Sequence, residues 1–502
     1  MTTPELYADL TRRLSDMTAI EEALGILQWD QEIVMPKGAV AARGRQMSTL
    51  AAILHQNQSS PALGGLLRRL SESGDLDDIA RANVREANRD HARAARIPEE
   101  LVRRWTALTV HAHEVWVDAR KAQEFSQFEP VLTELVGLAR QRAAAIDSHR
   151  PVYDVLIDEF EVGMTMARLD GVFAELKATL VPLIARVRAR LAQGGLADTA
   201  WLQSPVSPER QREVGESMVR AMAFDFDRGR LDTSVHPFCG GAGTDDVRIT
   251  TRYKETAFLG SLSGMIHETG HALYEQGRDR QLGDQPVSRA RSMGIHESQS
   301  LLWEKQVGQG APFWRPHYVR LQAAYPFLAA VPFDNFVFGL NLVRLDNFIR
   351  VDADELTYPL HVILRYEIER DLFSGALAVA DLPAAWNAKM VQYLGIEPPN
   401  AALGCLQDVH WSMGSFGYFP SYTLGAVYAA QFMQTARTAL DVDGTLAAGD
   451  VQPLLGWLRE RVHQQGSRYP TDELVTRATG RPLDTAPFCA YVTDKYTRLY
   501  GL

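Results

Sequence analysis

The sequence predicts a mainly α-helical fold, built as one domain over residues 1–502 and interrupted by one small β segment. Three observations carry this. Apolar residues recur at threes and fours through most of the chain, the spacing that lines one face of a helix. Only the stretch between about Gly229 and Tyr253 turns glycine-rich and β-branched. No internal repeat, low-complexity tract or linker divides the chain.

From Pro4 to about Gln28, the residues Leu6, Leu10, Leu14, Met17, Ile20 and Leu24 form a helical stripe. Trp29-Asp30-Gln31 and Met35-Pro36-Lys37-Gly38 read as an interruption before a further helix through the fifties. Helical periodicity rich in Ala, Leu, Arg and Glu runs from about Ile79 to Ala145 and from Met166 to Leu191. Gly240-Gly241-Ala242-Gly243 reads as a flexible turn, and Val247 to Thr251 as a short strand. Thr256 to Gln276 returns to helix, a loop follows to Gly294, and another helix begins near Ile295. Helix dominates from there on, punctuated by Pro and Gly around residues 398–404 and 480–487.

With 46% hydrophobic and 23% charged residues, the 502-residue chain can bury a large core. A net charge of −10 and the lack of any basic run argue against a nucleic-acid partner, which would need clustered Lys and Arg. Cys239, Cys405 and Cys489 lie far apart, so neither a disulfide framework nor a thiolate metal site is indicated, and a reducing compartment fits. The N-terminal residues lack the basic start and apolar run of a signal peptide, and no segment approaches a membrane span. The expectation is a cytoplasmic protein with no membrane partner.

The chemistry concentrates at Met265-Ile266-His267-Glu268-Thr269-Gly270-His271-Ala272-Leu273. On a helix, His267 and His271 project from one face a turn apart, which suits a single Zn²⁺ ion. Glu268 falls beside the metal, where it can take a proton from water as general base. A catalytic zinc wants a third protein ligand. The candidates lie on the next helix: Glu297 in Gly294-Ile295-His296-Glu297-Ser298-Gln299, with His296 and Glu304 as rivals.

Several further segments accompany this motif. They are His236-Pro237-Phe238, Asp246-Val247-Arg248-Ile249-Thr250, and Ile349-Arg350 with Ala353-Asp354-Glu355-Leu356-Thr357-Tyr358. Gly404-Cys405-Leu406-Gln407-Asp408-Val409-His410-Trp411 and the early Trp29-Asp30-Gln31 complete the set. Together with the His267–His271 motif and His296-Glu297-Ser298-Gln299, they resemble the M32 family of metallocarboxypeptidases over most of the chain. The resemblance implies a helical zincin with a long central groove between two lobes and a small sheet near the active site, related in architecture to neurolysin and angiotensin-converting enzyme. It also implies release of single C-terminal residues with broad preference, disfavouring proline near the cut. Zn²⁺ is the implied metal, with Co²⁺ able to substitute, and a homodimer the common assembly. In that family the metal ligands correspond to His267, His271 and Glu297.

Further donors must meet the oxyanion of peptide hydrolysis, and His410, Tyr422 and Tyr418 are the candidates. The segment Gly417-Tyr418-Phe419-Pro420-Ser421-Tyr422 resembles one that follows a similar His in related helical peptidases. The alternative for each Tyr is an ordinary core position, and for His410 a brace for Asp408. A free substrate carboxylate calls for a planar guanidinium. Arg350 is the first candidate and Arg248 the second, set against ion pairing of Arg350 with Asp352, Asp354 or Glu355 and of Arg248 with Asp246. His55, His91, His111, His113 and His361 are expected on surfaces or in satisfied core positions. An endo-acting oligopeptidase and a catalytically silent peptide binder are the competing functions.

Overall fold

The computed structural model describes residues 2–502, and helix dominates it. The first helix, α1 (Thr3–Ile33), opens with the Glu5 carboxylate accepting from the Thr2 backbone N–H at 2.7 Å, an orphan donor of the helix start. Its stripe of Leu6, Leu10, Leu14 and Met17 packs with Leu63, Leu66, Leu67 and Leu70 in a small cluster separate from the main core. The interruption expected at Trp29-Asp30-Gln31 does not occur, and α1 runs through these residues. Nothing in that tripeptide forbids helix. The chain leaves it only as Pro36 approaches, where the ring lacks an N–H and crowds the residue before it. The next helix, α2 (Val40–Gln58), buries none of its side chains.

The helical stretch expected from Ile79 to Ala145 is three helices, Asp78–Arg96, Glu99–Ala122 and Glu129–Ile146. They divide at Pro98 and Pro130, which stand at helix starts where a missing N–H costs nothing. The helix expected from Met166 to Leu191 forms as Met166–Ala192.

Three strands follow: β1 (Gly229–Thr233), β2 (Cys239–Gly241) and β3 (Val247–Thr251), in the order β1-β3-β2. β1 runs parallel to β3 with Gly229 opposite Val247, and β2 runs antiparallel with Cys239 opposite Ile249. Gly240 and Gly241, expected in a turn, therefore lie in β2; pairing with β3 outweighs the turn preference of glycine. Val247, Ile249 and Leu231 bury against Met265 and Ala272 of α3 (Phe258–Gly277), so the sheet lies on the helix that carries the His-Glu-x-x-His motif.

Beyond α3, α4 (Met293–Leu301) continues into a π-helical turn over Leu302–Val307. Two later helices, α5 (Tyr358–Ser374) and α6 (Pro420–Ala439), are buried along most of their length. The main core surrounds them, with Trp303, Trp314, Trp386, Tyr366 and Tyr428 fully buried. The three cysteines are free, and among the described residues no helix is long and apolar enough to cross a membrane.

Candidate active site

Two glycines fix how α4 sits between its neighbours. A Cβ at Gly270 of α3 would stand 2.6 Å from the Ser300 Cα, and one at Gly425 of α6 would stand 2.6 Å from the Glu297 Cγ. Only glycine lets both helices approach α4 this closely. The result aims Glu297 at the imidazoles of α3 and brings Tyr422, one turn before Gly425, to the same side of α6.

His267, His271 and Glu297 each offer a ligand atom, all within 4.8 Å of one another. The Glu297 Oε2 lies 3.3 Å from His271 Nε2 and 3.8 Å from His267 Nε2. Donors about 2.1 Å from one tetrahedral ion would stand roughly 3.4 Å apart. Two imidazoles and a carboxylate therefore fit a divalent metal in both chemistry and spacing.

The outward ring nitrogens are occupied. His267 Nδ1 meets Glu304 Oε2 at 2.8 Å, and Glu304 also receives Lys305 at 2.7 Å and the Ser263 hydroxyl at 2.8 Å. His271 Nδ1 meets His296 Nδ1 at 2.6 Å, and His296 Nε2 meets Glu275 Oε1 at 2.8 Å. Glu275 is paired with Arg278; burial disfavours its charge, but that guanidinium and His296 hold it down at about 2. An ionised Glu275 accepts the His296 Nε2–H, and in the tautomer of His271 that binds metal through Nε2 its Nδ1–H donates to His296 Nδ1. That leaves a lone pair on His271 Nε2, pointing at Glu297. The rivals for third ligand, His296 and Glu304, thus grip the ligand imidazoles from behind.

This pocket carries an excess of negative charge. Burial alone would lower His267, but Glu297 and Glu304 hold it up at about 9. Burial brings His271 down to about 4, so of the two imidazoles facing the same carboxylate it is His267 that favours the proton. Glu268 is buried, and desolvation, opposed by His267, pushes its carboxyl up to about 7; a dication beside it would pull the other way.

A second cluster, of opposite sign, lies around Asp408. Arg350 donates to Asp408 Oδ1 from Nε at 3.1 Å and from Nη2 at 2.8 Å, while its Nη1 reaches the Tyr358 hydroxyl at 3.0 Å. The expected partners of Arg350, namely Asp352, Asp354 and Glu355, do not pair with it. Asp354 is consumed by backbone N–H groups of Arg344, Leu356 and Thr357, and Glu355 by Lys495 at 2.6 Å. The Arg350 guanidinium lies 4.6 Å from the centroid of the Tyr422 ring. Tyr422 in turn meets His410 Nε2 at 3.1 Å and stands edge-on to Tyr418 at 5.2 Å between centroids. Burial lowers His410 to about 3, leaving it neutral. Its Nδ1 stays 3.9 Å from Asp408, with no hydrogen bond, so Tyr422 rather than Asp408 is its partner.

The two clusters adjoin. Burial raises the phenols of Tyr358, Tyr418 and Tyr422, and the Glu297 charge raises each further. Arg248 is in neither cluster's contact set. It forms a two-point ion pair with Asp246, at 2.7 and 2.6 Å, and covers the Trp29 ring at 4.5 Å, tying β3 to α1.

Two members of this cluster carry no expectation from the sequence: Tyr358, and Arg365, whose Nε donates to Asp408 Oδ2 at 2.6 Å. A signal existed: Arg365 is the lone cation within the apolar run Leu360 to Tyr366, a placement that demands a buried partner. His361, expected on a surface or satisfied, is fully buried with neither ring nitrogen hydrogen-bonded.

A helical protein whose paired imidazoles and carboxylate fit a divalent ion, with a general base alongside, belongs to the metallopeptidase class. Residues 9–496 match the family described as Carboxypeptidase Taq (M32) metallopeptidase, and the chain belongs to that family. It is 39% identical to Carboxypeptidase 1 of Bacillus subtilis, covering 99% of this chain and 98% of that one. It is also 39% identical to Thermostable carboxypeptidase 1 of Thermus thermophilus, over 99% and 100% of the two chains. The crystal structure of an M32 carboxypeptidase from Deinococcus radiodurans R1 superposes with a TM-score of 0.96 at 39% identity, over 99% and 100% of the chains. The protein is accordingly a metallocarboxypeptidase, and its metal is a divalent ion.

Proposed function

We propose that the protein is a zinc-dependent exopeptidase that releases single residues from peptides with a free C-terminus, with Co²⁺ able to replace Zn²⁺. The observation that carries this is the pairing of an electronegative pocket at His267, His271 and Glu297 with an electropositive one at Arg350, next to it. The first suits the ion and the second the terminal carboxylate.

The ion supplies Lewis acidity and an acidified water when bound. His267, His271 and Glu297 would hold it, their imidazoles oriented by Glu304 and His296. Glu268 takes a proton from the attacking water and returns it to the leaving amine. His410, hydrogen-bonded to Tyr422 through Nε2, gives its N–H to the Tyr422 oxygen, which leaves the Tyr422 O–H to meet the developing oxyanion. Arg350 has N–H groups beyond those used by Asp408 and Tyr358, and these take the substrate carboxylate. Tyr418 walls the same region. Arg248 acts at one remove, through the β3–α1 contact. Broad side-chain preference with proline disfavoured, a single domain of two lobes flanking a groove, a cytoplasmic location, a homodimer, and no nucleic-acid or membrane partner complete the reading. The net charge of −10 supports the exclusion of nucleic acid.

The test is mass spectrometry of mixed peptides incubated with zinc- or cobalt-loaded protein, beside C-terminally amidated copies and the Glu268→Gln variant. Ladders losing one C-terminal residue at a time, absent for the amides and the variant, are expected. Internal cleavage of amidated peptides would favour an oligopeptidase, and no cleavage a silent binder.

A further inference from the structure

An arginine engaged with an aspartate is a poor trap for a second carboxylate, because the pair is already neutral. Arg350 donates to Asp408 through two nitrogens. Asp408 is not its private partner, however. The Arg365 Nε reaches the other carboxylate oxygen at 2.6 Å, and the Arg365 Nη2 meets Gln407 Oε1 at 2.7 Å. The same Gln407 oxygen receives the Arg350 backbone N–H at 2.8 Å, so the two arginines are locked to one strip of chain.

The charges do not cancel. Two guanidiniums share one carboxylate, and among the described residues no other Asp or Glu lies within ion-pair distance of either. The histidines alongside, His361 and His410, are both driven towards the neutral form by burial. Glu369, one turn beyond Arg365 on α5, is occupied by Tyr153, Trp411 and the Gly417 N–H, and burial pushes its carboxyl up to about 7. Burial pulls Arg365 down to about 10, which leaves it cationic at neutral pH.

The two cations meet different oxygens of Asp408 and differ in their other neighbours. Arg365 is fully buried against the Trp386 ring at 4.4 Å, and its remaining Nη1 is taken by the His361 carbonyl. Arg350 lies over Tyr422, whose helix packs on Glu297 at Gly425. Asp408 is held well below the usual carboxylate range by the two guanidiniums, against the pull of burial. An unbalanced buried cation is costly and needs an anion to complete it.

We propose that Arg365 is a positioning residue for recognition of the substrate's C-terminal carboxylate: by neutralising Asp408 from the core side, it leaves the charge of Arg350 free for the substrate. The proposal rests on the reading of Arg350 as the carboxylate clamp. It makes the arrangement a relay, Arg365–Asp408–Arg350, completed by the substrate carboxylate in alternating sign.

The test compares KM and kcat on an N-blocked peptide with a free C-terminus, with zinc affinity measured in parallel by chelator competition. Arg365→Met removes the compensating cation and should raise KM about tenfold, the scale of a charge-assisted hydrogen bond, while leaving zinc affinity unchanged. Arg365→Lys keeps the charge and should stay within about threefold of the parent on that scale. The double variant Arg365→Met with Asp408→Asn restores the net charge and should recover most of the loss in KM. The proposal is overturned by an Arg365→Met enzyme with the parent KM, or by a double variant no better than the single. Should Arg365→Met not fold, a tenfold rise in KM for both Arg365→Lys and the double variant overturns it equally. Arg350→Ala separates the two ideas: an unchanged KM there defeats the clamp itself, whereas a raised KM beside an unaffected Arg365→Met defeats only the relay.

Discussion

The two buried polar clusters of this protein are built from similar parts and carry opposite charge. Around His267 and His271 stand Glu268, Glu297 and Glu304, with Lys305 on Glu304 as the one lysine or arginine among the described residues paired with them, so carboxylates outnumber fixed cations. Around Asp408 stand Arg350 and Arg365, so guanidiniums outnumber carboxylates. In a water-poor interior each imbalance is expensive until a partner of opposite sign arrives. On the proposed reading, a divalent cation completes the first cluster and the substrate carboxylate the second. In that reading, a peptide anchored by Arg350 at its C-terminus presents its last peptide bond to the metal cluster.

The sharpest way to separate the clusters is through Glu268. Glu268→Gln should lower kcat by about 10²–10⁴-fold, the usual contribution of a general base, with zinc affinity retained. Next is the support behind the metal. Glu304→Gln should weaken zinc binding by about 10–100-fold, as removal of a ligand's outer partner commonly does, read by chelator competition. A comparable loss of zinc on Arg350→Ala would break the comparison, since the two clusters would then not be separable.

Glu161 sharpens it from a different side. This buried carboxyl accepts from the Gly294 N–H at the start of α4 but contacts no cation. Burial pushes it from 4.5 up to about 7. Its folded pKa is raised, so the stability it contributes is complete below about 4.5 and is lost as pH climbs through about 7. Urea unfolding at pH 5 and pH 7.5 should show Glu161→Gln losing less stability over that interval than the parent, by on the order of 1–3 kcal/mol. The smallest effect is expected at Arg248. Its pair with Asp246 is partly exposed, at 17% and 37% of the side chains. Arg248→Ala should therefore cost at most about 1 kcal/mol in stability and raise KM far less than Arg350→Ala.

What was legible in the sequence follows the range of the interactions. His267, Glu268 and His271 share one helix, so 3.6-residue periodicity alone places them. Val247 to Thr251 and the helix from Met166 were legible for the same local reason. Glu297 was legible only as one of three candidates, because spacing along the chain does not say which face of α4 meets α3. Gly270 and Gly425 decide that by packing. The neighbouring acids are the partners the sequence suggests for Arg350, yet Asp408, 58 residues away, takes it, because Asp354 and Glu355 are committed elsewhere and Asp352 is exposed. The turn at Trp29 failed as an expectation because polar residues suggest an interruption without enforcing one, whereas Pro36 does enforce it.

The most direct test of the central claim is a cobalt titration, followed by visible absorption, of the parent, His271→Ala and Arg350→Ala proteins side by side. One Co²⁺ per chain is expected in the parent and in Arg350→Ala with matching affinity and spectrum, and the band should disappear in His271→Ala. A band that survives in His271→Ala, or vanishes in Arg350→Ala, would contradict the division of the site into a metal cluster and a carboxylate cluster.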